Sequence, residues 1–241
     1  MLTWAVEEVR AFLDFTAEDT DHALWWTALM TGIRRGELLG LRRRDLLLDR
    51  RIDGQPAPAL NVRQQCARDE DRQLRMRSLK TGDRACRTID LDEETAAILR
   101  GHCEAQEFRR RSWGPAYRTD LDLVFCHPDG SPYDPDVITH RFERRTEACP
   151  KAIRIRFHDQ RHTHATLLLE NGETEGYVAE RLGDSVEMIH QTYGHVTRKM
   201  RTGAVQRLAR LLATPAMEKL TARDRSVTDR DDDGVGKGAS S

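Results

Sequence analysis

Several absences in this chain of 241 residues exclude whole classes of protein. Its five cysteines are odd in number and include no Cys-x-x-Cys pair, which argues against a disulfide framework or a zinc site and favours a reducing cytoplasm. The longest uncharged stretch of the N-terminal half, residues 23–33, has 11 residues, whereas a membrane span needs about 20. No charged segment followed by an apolar one opens the chain, so no signal peptide is apparent.

An excess of positive charge is also absent. The 39 basic and 40 acidic residues give a formal net charge of -1, which excludes a uniformly basic DNA-coating protein but not a local basic groove. Charged residues make up 33% of the chain, compared with about 25% in an average globular protein. We therefore expect a soluble domain with a heavily charged surface.

Hydrophobic periodicity predicts a mainly α fold with a small three-stranded antiparallel β-sheet. The sheet is expected over residues 59–91, where apolar and polar residues alternate around a turn at 81–83. Helical spacing covers the ranges 3–17, 22–29, 33–41 and 92–111, and most of 135–214, with breaks at Pro150, Gly172, Gly183 and Gly194. The composition becomes polar and rich in Asp at Thr221. This change predicts a folded domain over 1–220 and a disordered tail over 221–241.

Five side chains suit phosphoryl transfer without a metal. His158 and Arg161 are three residues apart and share a helix face. Arg34 follows a predicted helix break, Lys80 lies at the predicted hairpin turn, and Tyr193 precedes the break at Gly194. Two guanidinium groups can hold the oxygens of a phosphodiester, and a tyrosine hydroxyl can attack it with help from a base. Taken singly, each residue is more often an ordinary surface or core residue, so the assignment depends on their surroundings.

Those surroundings resemble the tyrosine recombinases, or phage integrase family. Four segments resemble the boxes of that family in the right order, and they read TGIRRGELLGL (31–41), LKTGDRACRTIDL (79–91), HDQRHTHATLL (158–168) and RLGDSVEMIHQTYGHV (181–196). The resemblance covers about residues 2–212. It implies the family's catalytic-domain fold, which agrees with the mainly α prediction.

The resemblance also implies a role for each of the five residues. Tyr193 would attack the scissile phosphate and form a 3′-phosphotyrosyl link, while Arg34 and Arg161 clamp the phosphate. His158 would be the acid–base partner of the tyrosine, and Lys80 would protonate the 5′-oxygen. The chemistry implied needs no metal and no cofactor, because the phosphotyrosine conserves the bond energy for rejoining.

Three departures from the family pattern bear on activity. The last box usually reads Leu-Gly-His, but Asp184 replaces that histidine here. Like charges about 5 Å apart repel by about 3 kcal/mol at an effective dielectric of about 20, so we expect Asp184 to be protonated, to pair with an arginine such as Arg181, or to turn to solvent. Gln160 stands where the family usually has leucine. The chain also begins at the first catalytic-domain helix, so we expect it to lack the usual N-terminal DNA-gripping domain.

Two other functions stay open at this stage. The first is a catalytically dead integrase remnant that acts only as a DNA-binding or assembly module, as Asp184 and Gln160 suggest. The second is a metal-dependent phosphohydrolase that uses His158, Asp159, His162 and His164, although helical spacing does not put all three histidines on one face.

The expected partners follow from the same resemblance. They are double-stranded DNA, further copies of the chain in a tetrameric synapse on DNA, and an accessory DNA-bending or directionality factor; the expected location is the cytoplasm. Two arginine clusters are predicted to contact DNA phosphates, and they are Arg42, Arg43 and Arg44, and Arg141, Arg144 and Arg145. Val205, Leu208, Leu211 and Leu212 form an apolar stripe past Tyr193, which fits docking on a neighbouring protomer and packing on its own domain equally well.

Overall fold

A computed structural model of the chain describes residues 2–79 and 86–213, the side chains of 197–207 excepted. Its helices are α1 (Val6–Phe15), α2 (His22–Thr31), α3 (Arg35–Leu39), α4 (Glu93–Trp113), α5 (Pro135–Ala148), α6 (Asp159–Glu170), α7 (Glu175–Leu182) and α8 (Val186–Leu212). Its strands are β1 (Leu46–Leu47), β2 (Arg51–Ile52), β3 (Gln55–Pro56), β4 (Ala59–Val62), β5 (Gln64–Arg68), β6 (Leu74–Ser78) and β7 (Arg87–Asp90). The mainly α fold with a small antiparallel sheet is confirmed.

The three-stranded sheet has a different composition from the one predicted. Its order is β1-β4-β7, with β4 antiparallel to both neighbours. Strand β6, which lies within the range predicted for the sheet, instead pairs with β5 in a separate hairpin, with Cys66 opposite Met76. The alternation over 59–91 located the strands correctly, but periodicity alone does not say which strands pair.

Aromatic side chains form the centre of the main core. Trp4, Phe12, Trp25 and Phe142 are all buried, with ring centroids 4.9 Å apart for Trp4 and Phe12 and 5.4 Å apart for Phe12 and Phe142. These rings come from α1, α2 and α5 and from the segment before α1. Burial of large aromatic surfaces therefore fixes α1 and α2 against α5.

A smaller core joins α6, α7 and α8. Its buried members are Ala165, Leu169, Val178, Ala179, Leu182, Ile189, Tyr193 and Val196. The predicted break at Gly194 is wrong, because α8 continues through that residue to Leu212. A single glycine inside a helix costs about 1 kcal/mol relative to alanine, which the packing of Ile189, Tyr193 and Val196 on α6 and α7 offsets.

The contacts divide the chain into two compact units, residues 1–196 and 197–241. In the second unit the described backbone is helical to Leu212, and Leu208, Leu211 and Leu212 are exposed. Val205, Lys80 and the predicted tail over 221–241 lie outside the residues and side chains that the structure describes. Within the described ranges, no helix is long and apolar enough to cross a membrane.

Candidate active site

Arg161 on α6 is buried, with 6% of its side chain exposed. Its guanidinium donates to the carbonyl oxygens of Gly32, at 2.8 Å, and Leu182, at 2.9 Å. These carbonyls lie at the ends of α2 and α7, where Gly32 and Gly183 take the left-handed conformation, with φ of 63° and 69°. Glycine adopts that conformation without strain, so the two helix ends hold Arg161 in a fixed orientation.

Arg34 lies just before α3 and is positioned by Glu37. The backbone N–H of Arg34 donates to Glu37 Oε2 at 2.9 Å, and its Nη1 donates to Glu37 Oε1 at 3.0 Å. Glu37 also accepts from Arg87 Nη2 at 2.9 Å. Burial alone would raise the pKa of Glu37, but hydrogen bonds and charge from Arg87 and Arg34 outweigh it and lower the pKa. A charged Glu37 therefore orients the Arg34 guanidinium.

The carboxylate of Asp184 bridges the two arginines. Arg34 Nη2 donates to its Oδ1 at 2.5 Å, and Arg161 Nη2 donates to its Oδ2 at 2.6 Å. Pairing with an arginine was one expected fate of Asp184, but Arg181 is not its partner. Arg181 instead donates to His164 Nε2 and to the backbone oxygens of Asp90 and Met30. Asp184 thus places one oxygen on each guanidinium, as a phosphodiester with two non-bridging oxygens could do.

Tyr193 projects from α8 and is 3% exposed. Its hydroxyl lies 2.7 Å from Nδ1 of His162. Burial raises the pKa of Tyr193 to about 12, with Arg161 opposing the change and Asp184 adding to it. The structure therefore brings the predicted nucleophile close to Arg161 and Asp184 and to a histidine to which the family boxes assign no role. The spacing could have suggested His162, because it lies four residues after His158 and so on the same helix face.

His158 is the N-cap residue of α6. Its ring packs edge-on against the ring of His162, with centroids 4.9 Å apart. Partial desolvation and the nearby charge of Arg161 lower the pKa of His158. Arg34, His158, Arg161, Asp184 and Tyr193 thus lie around one region, whereas Lys80 is outside the described residues.

The histidines proposed as metal ligands do not converge on one point. His164 is buried, with Nδ1 donating to Leu29 O at 2.9 Å and Nε2 accepting from Arg181 Nε at 3.1 Å. Burial lowers the pKa of His164 to about 3, so the ring is neutral. Both ring nitrogens are engaged in hydrogen bonds with the protein. Within residues 2–79 and 86–213, no group of three or more His, Cys, Asp or Glu could hold a metal ion.

Gln160 is buried at 1% exposure next to the site. Neither its amide nitrogen nor its amide oxygen has a hydrogen-bond partner among the described residues. An unsatisfied buried polar group costs about 1–3 kcal/mol. This chain therefore carries a local stability cost that the leucine usual in the family would avoid.

The two predicted arginine clusters are mostly engaged with carboxylates. Arg42 pairs with Asp45, Arg43 with Glu107, Arg141 with Asp21, and Arg145 with Asp19. Arg44 and Arg144 are exposed, and among the described residues neither side chain forms an ion pair or a hydrogen bond. Of the six arginines in the two clusters, Arg44 and Arg144 could therefore contact a phosphate without first breaking an ion pair.

Solved structures place this fold in a known class. The chain resembles the integrase of the transposon Tn1549, determined in complex with transposon right end DNA, with a TM-score of 0.70 and 20% identity over 86% of this chain and 66% of that one. It also resembles the XerA recombinase, with a TM-score of 0.64 and 21% identity over 85% of this chain and 65% of that one. The fold is that of a tyrosine recombinase catalytic domain.

Sequence comparisons agree with the fold. A tyrosine recombinase XerC-like protein of Caldanaerobacter subterraneus is 27% identical over 86% of this chain and 53% of its own length. The ICEBs1 integrase of Bacillus subtilis is 28% identical over 81% of this chain and 51% of its own length. The sequence profile of the phage integrase family matches residues 57–200, and the chain belongs to that family. It spans about half the length of these curated relatives.

Proposed function

We propose that this chain is a site-specific DNA recombinase that cleaves and rejoins double-stranded DNA through a 3′-phosphotyrosine on Tyr193. The observation that carries the proposal is the convergence of Arg34 and Arg161 on the two oxygens of one carboxylate, at 2.5 and 2.6 Å. Two fixed guanidinium groups that bind one small anion are suited to the charge of a phosphodiester transition state. The DNA-bound relatives and the four family boxes support the same substrate.

Each proposed role follows from the position or the box of the residue. Tyr193 Oη attacks phosphorus, its proton passes to a histidine of the HxxR box region, and the bond from phosphorus to the 5′-oxygen breaks. Arg34 and Arg161 neutralise the non-bridging oxygens after the phosphate displaces Asp184. Lys80, placed here by its box alone, supplies the proton that the 5′-oxygen takes up. The reverse steps rejoin a 5′-hydroxyl to the phosphotyrosine.

Asp184 also favours a second candidate function, a catalytically dead DNA-binding or assembly module. Its carboxylate fills the position of a phosphate between Arg34 and Arg161. A DNA phosphate must break both ion pairs to enter, and Asp184 offers no hydrogen-bond donor in place of the usual histidine. Loss of one such donor typically costs about 10²- to 10³-fold in rate.

Covalent trapping tests the proposed function without knowledge of the target site. The full chain is incubated with a pool of randomised duplexes, each nicked so that the short 5′-hydroxyl strand escapes after cleavage, and detergent-stable complexes are recovered and sequenced. We expect a recurring target sequence and a covalent adduct that disappears in Tyr193→Phe. The control is Tyr177→Phe, because the Tyr177 hydroxyl contacts Arg181 at 3.4 Å, away from the arginine pair. Absence of any adduct, or an adduct that persists in Tyr193→Phe, would refute the proposal.

We propose that Arg44 and Arg144 contact DNA phosphates outside the reacting one, since both are exposed. Arg144→Ala should weaken binding to duplexes of every sequence alike and reduce the slope of log affinity against log salt by about 1. Arg145→Ala on the same helix should change the slope less, because its guanidinium is held by Asp19 at 2.7 Å. Fluorescence anisotropy over a salt series measures both slopes. A sequence-selective loss in Arg144→Ala would contradict phosphate contact.

The larger assembly also belongs to the proposal. We expect copies of the chain to act together on paired DNA sites in a tetrameric synapse, with an accessory DNA-bending or directionality factor. The curated relatives are about twice as long as this chain. Because the formal net charge is -1, we expect the chain tested alone to bind DNA weakly at physiological salt.

A further inference from the structure

The hydroxyl of Tyr193 has a specific side-chain partner that the family boxes did not assign. That partner is Nδ1 of His162, at 2.7 Å, which is a short distance for a hydrogen bond between nitrogen and oxygen. His162 lies on α6 directly after Arg161 and one helical turn after His158. The same turn of helix that presents the phosphate-binding arginine therefore also presents a base to the nucleophile.

We infer that His162 is a further catalytic residue, the base that accepts the phenolic proton of Tyr193 during attack on DNA. This inference rests on the proposed function. As the bond from Tyr193 Oη to phosphorus forms, the Oη–H proton moves to His162 Nδ1, which has a lone pair when the other ring nitrogen carries the hydrogen. The bond from phosphorus to the 5′-oxygen breaks, and that oxygen takes its proton from Lys80. In rejoining, His162 returns its proton to the departing phenolate.

The surroundings of His162 keep its ring in the form that can accept a proton. Burial, with the neighbouring charge of His158 adding to it, lowers the pKa of His162 to about 4, so the ring is neutral near pH 7. The other charged groups that face it are Asp159 and Arg161 on the same helix and Arg156 just before it. A bound phosphodiester adds a negative charge, which raises the basicity of the ring at the moment of attack.

The resemblance to the family implied His158, not His162, as the acid–base partner of Tyr193. His158 and His162 occupy different positions relative to the tyrosine. The ring of His162 contacts both the ring of His158, at 4.9 Å between centroids, and the ring of Tyr193, at 6.0 Å. Among the described residues, the ring nitrogens of His158 make no hydrogen bond. The His158 ring can therefore turn toward the phosphate of a bound DNA, whereas His162 is already hydrogen-bonded to the hydroxyl of Tyr193.

The pH dependence of covalent adduct formation separates a base from a structural residue. Single-turnover rates are measured from pH 6 to 9 on the duplex selected by covalent trapping, for the full chain and for His162→Asn, whose amide oxygen accepts a hydrogen bond but not a proton. We expect a nearly flat profile for the unaltered chain. The variant should be about 10²- to 10⁴-fold slower at pH 7 and should gain about tenfold per pH unit, because hydroxide must then remove the proton from a phenol of high pKa. The matched control, His190→Asn, changes an exposed histidine of α8 that pairs with Glu175 and should leave the rate unchanged.

Chemical rescue gives a second measurement that does not depend on the asparagine variant folding well. In His162→Ala, added imidazole should restore adduct formation in proportion to its neutral form, because the small base fills the vacated space. An equal rate loss at every pH in His162→Asn, together with no rescue of His162→Ala, would overturn the inference. An unaltered rate in His162→Asn would overturn it as well. Absence of an adduct with the unaltered chain would instead refute the proposed function.

Discussion

Asp184→Asn should form the covalent adduct about 10- to 100-fold faster than the unaltered chain. The carboxylate of Asp184 lies on Arg34 and Arg161, the two arginines proposed to bind phosphate, at 2.5 and 2.6 Å, and under that proposal it must leave before a phosphate can enter. Asparagine keeps the size of the side chain but removes a negative charge that repels a phosphate about 5 Å away by about 3 kcal/mol at an effective dielectric of about 20. Solvent screens part of that repulsion, since Asp184 is 20% exposed, so the expected gain lies below the full value.

Adduct formation on the selected nicked duplex measures the effect of Asp184→Asn directly. Asp120→Asn is a matched control, because Asp120 also pairs with an arginine, Arg118, at 2.8 Å, but is exposed elsewhere on the domain. Asp184→His, which restores the residue usual in the family, should raise the rate at least as much by adding a hydrogen-bond donor. If neither variant gains activity while DNA binding is intact, removing the Asp184 carboxylate from the two arginines does not restore catalysis, and the dead-module function is favoured.

Arg161→Lys should reduce the rate of adduct formation by about 10²- to 10³-fold, as expected for loss of a donor to the transition state. Lysine keeps the positive charge, but its ammonium cannot replace the planar guanidinium that joins Gly32 O, Leu182 O and Asp184 Oδ2. Affinity for non-specific DNA should change little, because the net charge of the chain is unaltered. The contrast between rate and affinity is the signature of a residue that acts mainly in the transition state.

The comparison for Arg161→Lys is Arg118→Lys, which makes the same change at an exposed pair. Thermal unfolding is recorded for both variants, since the buried carbonyls of Gly32 and Leu182 lose partners in Arg161→Lys. A rate within threefold of the unaltered chain, with folding intact, would show that Arg161 does not bind the reacting phosphate.

Local signals in the sequence predicted most of the fold. Asp92 begins α4 by accepting from the backbone N–H of Thr95 at 2.8 Å, and Gly32 ends α2 in the left-handed conformation. The sequence predicted a small antiparallel sheet but not which strands form it. Both β6 and β7 lie in the range predicted for the sheet, and only tertiary packing decides which of them pairs with β4. The break predicted at Gly194 failed for a related reason, since packing of α8 on α6 and α7 outweighs the low helix propensity of one glycine.

The identity of the candidate site residues was predictable from the sequence, but the hydrogen-bond and ion-pair partners of those residues were not. The boxes identified Arg34, His158, Arg161 and Tyr193, whose assigned roles stay predictions. The sequence suggested Arg181 for Asp184 because the two are neighbours, but the left-handed turn at Gly183 lies between them. Asp184 meets Arg34 instead, 150 residues away, and a contact at that separation cannot be read from local spacing.

The most direct test of the central claim is to map the covalent bond itself. The adduct between the full chain and the selected nicked duplex is digested with nuclease and protease, and the peptide that carries residual nucleotide is sequenced by mass spectrometry. We expect the nucleotide on Tyr193, joined through its 3′-phosphate, with no such peptide when Asp184→Asn is combined with Tyr193→Phe. A nucleotide on any other residue, or a bond through a 5′-phosphate, would contradict the proposed recombinase mechanism.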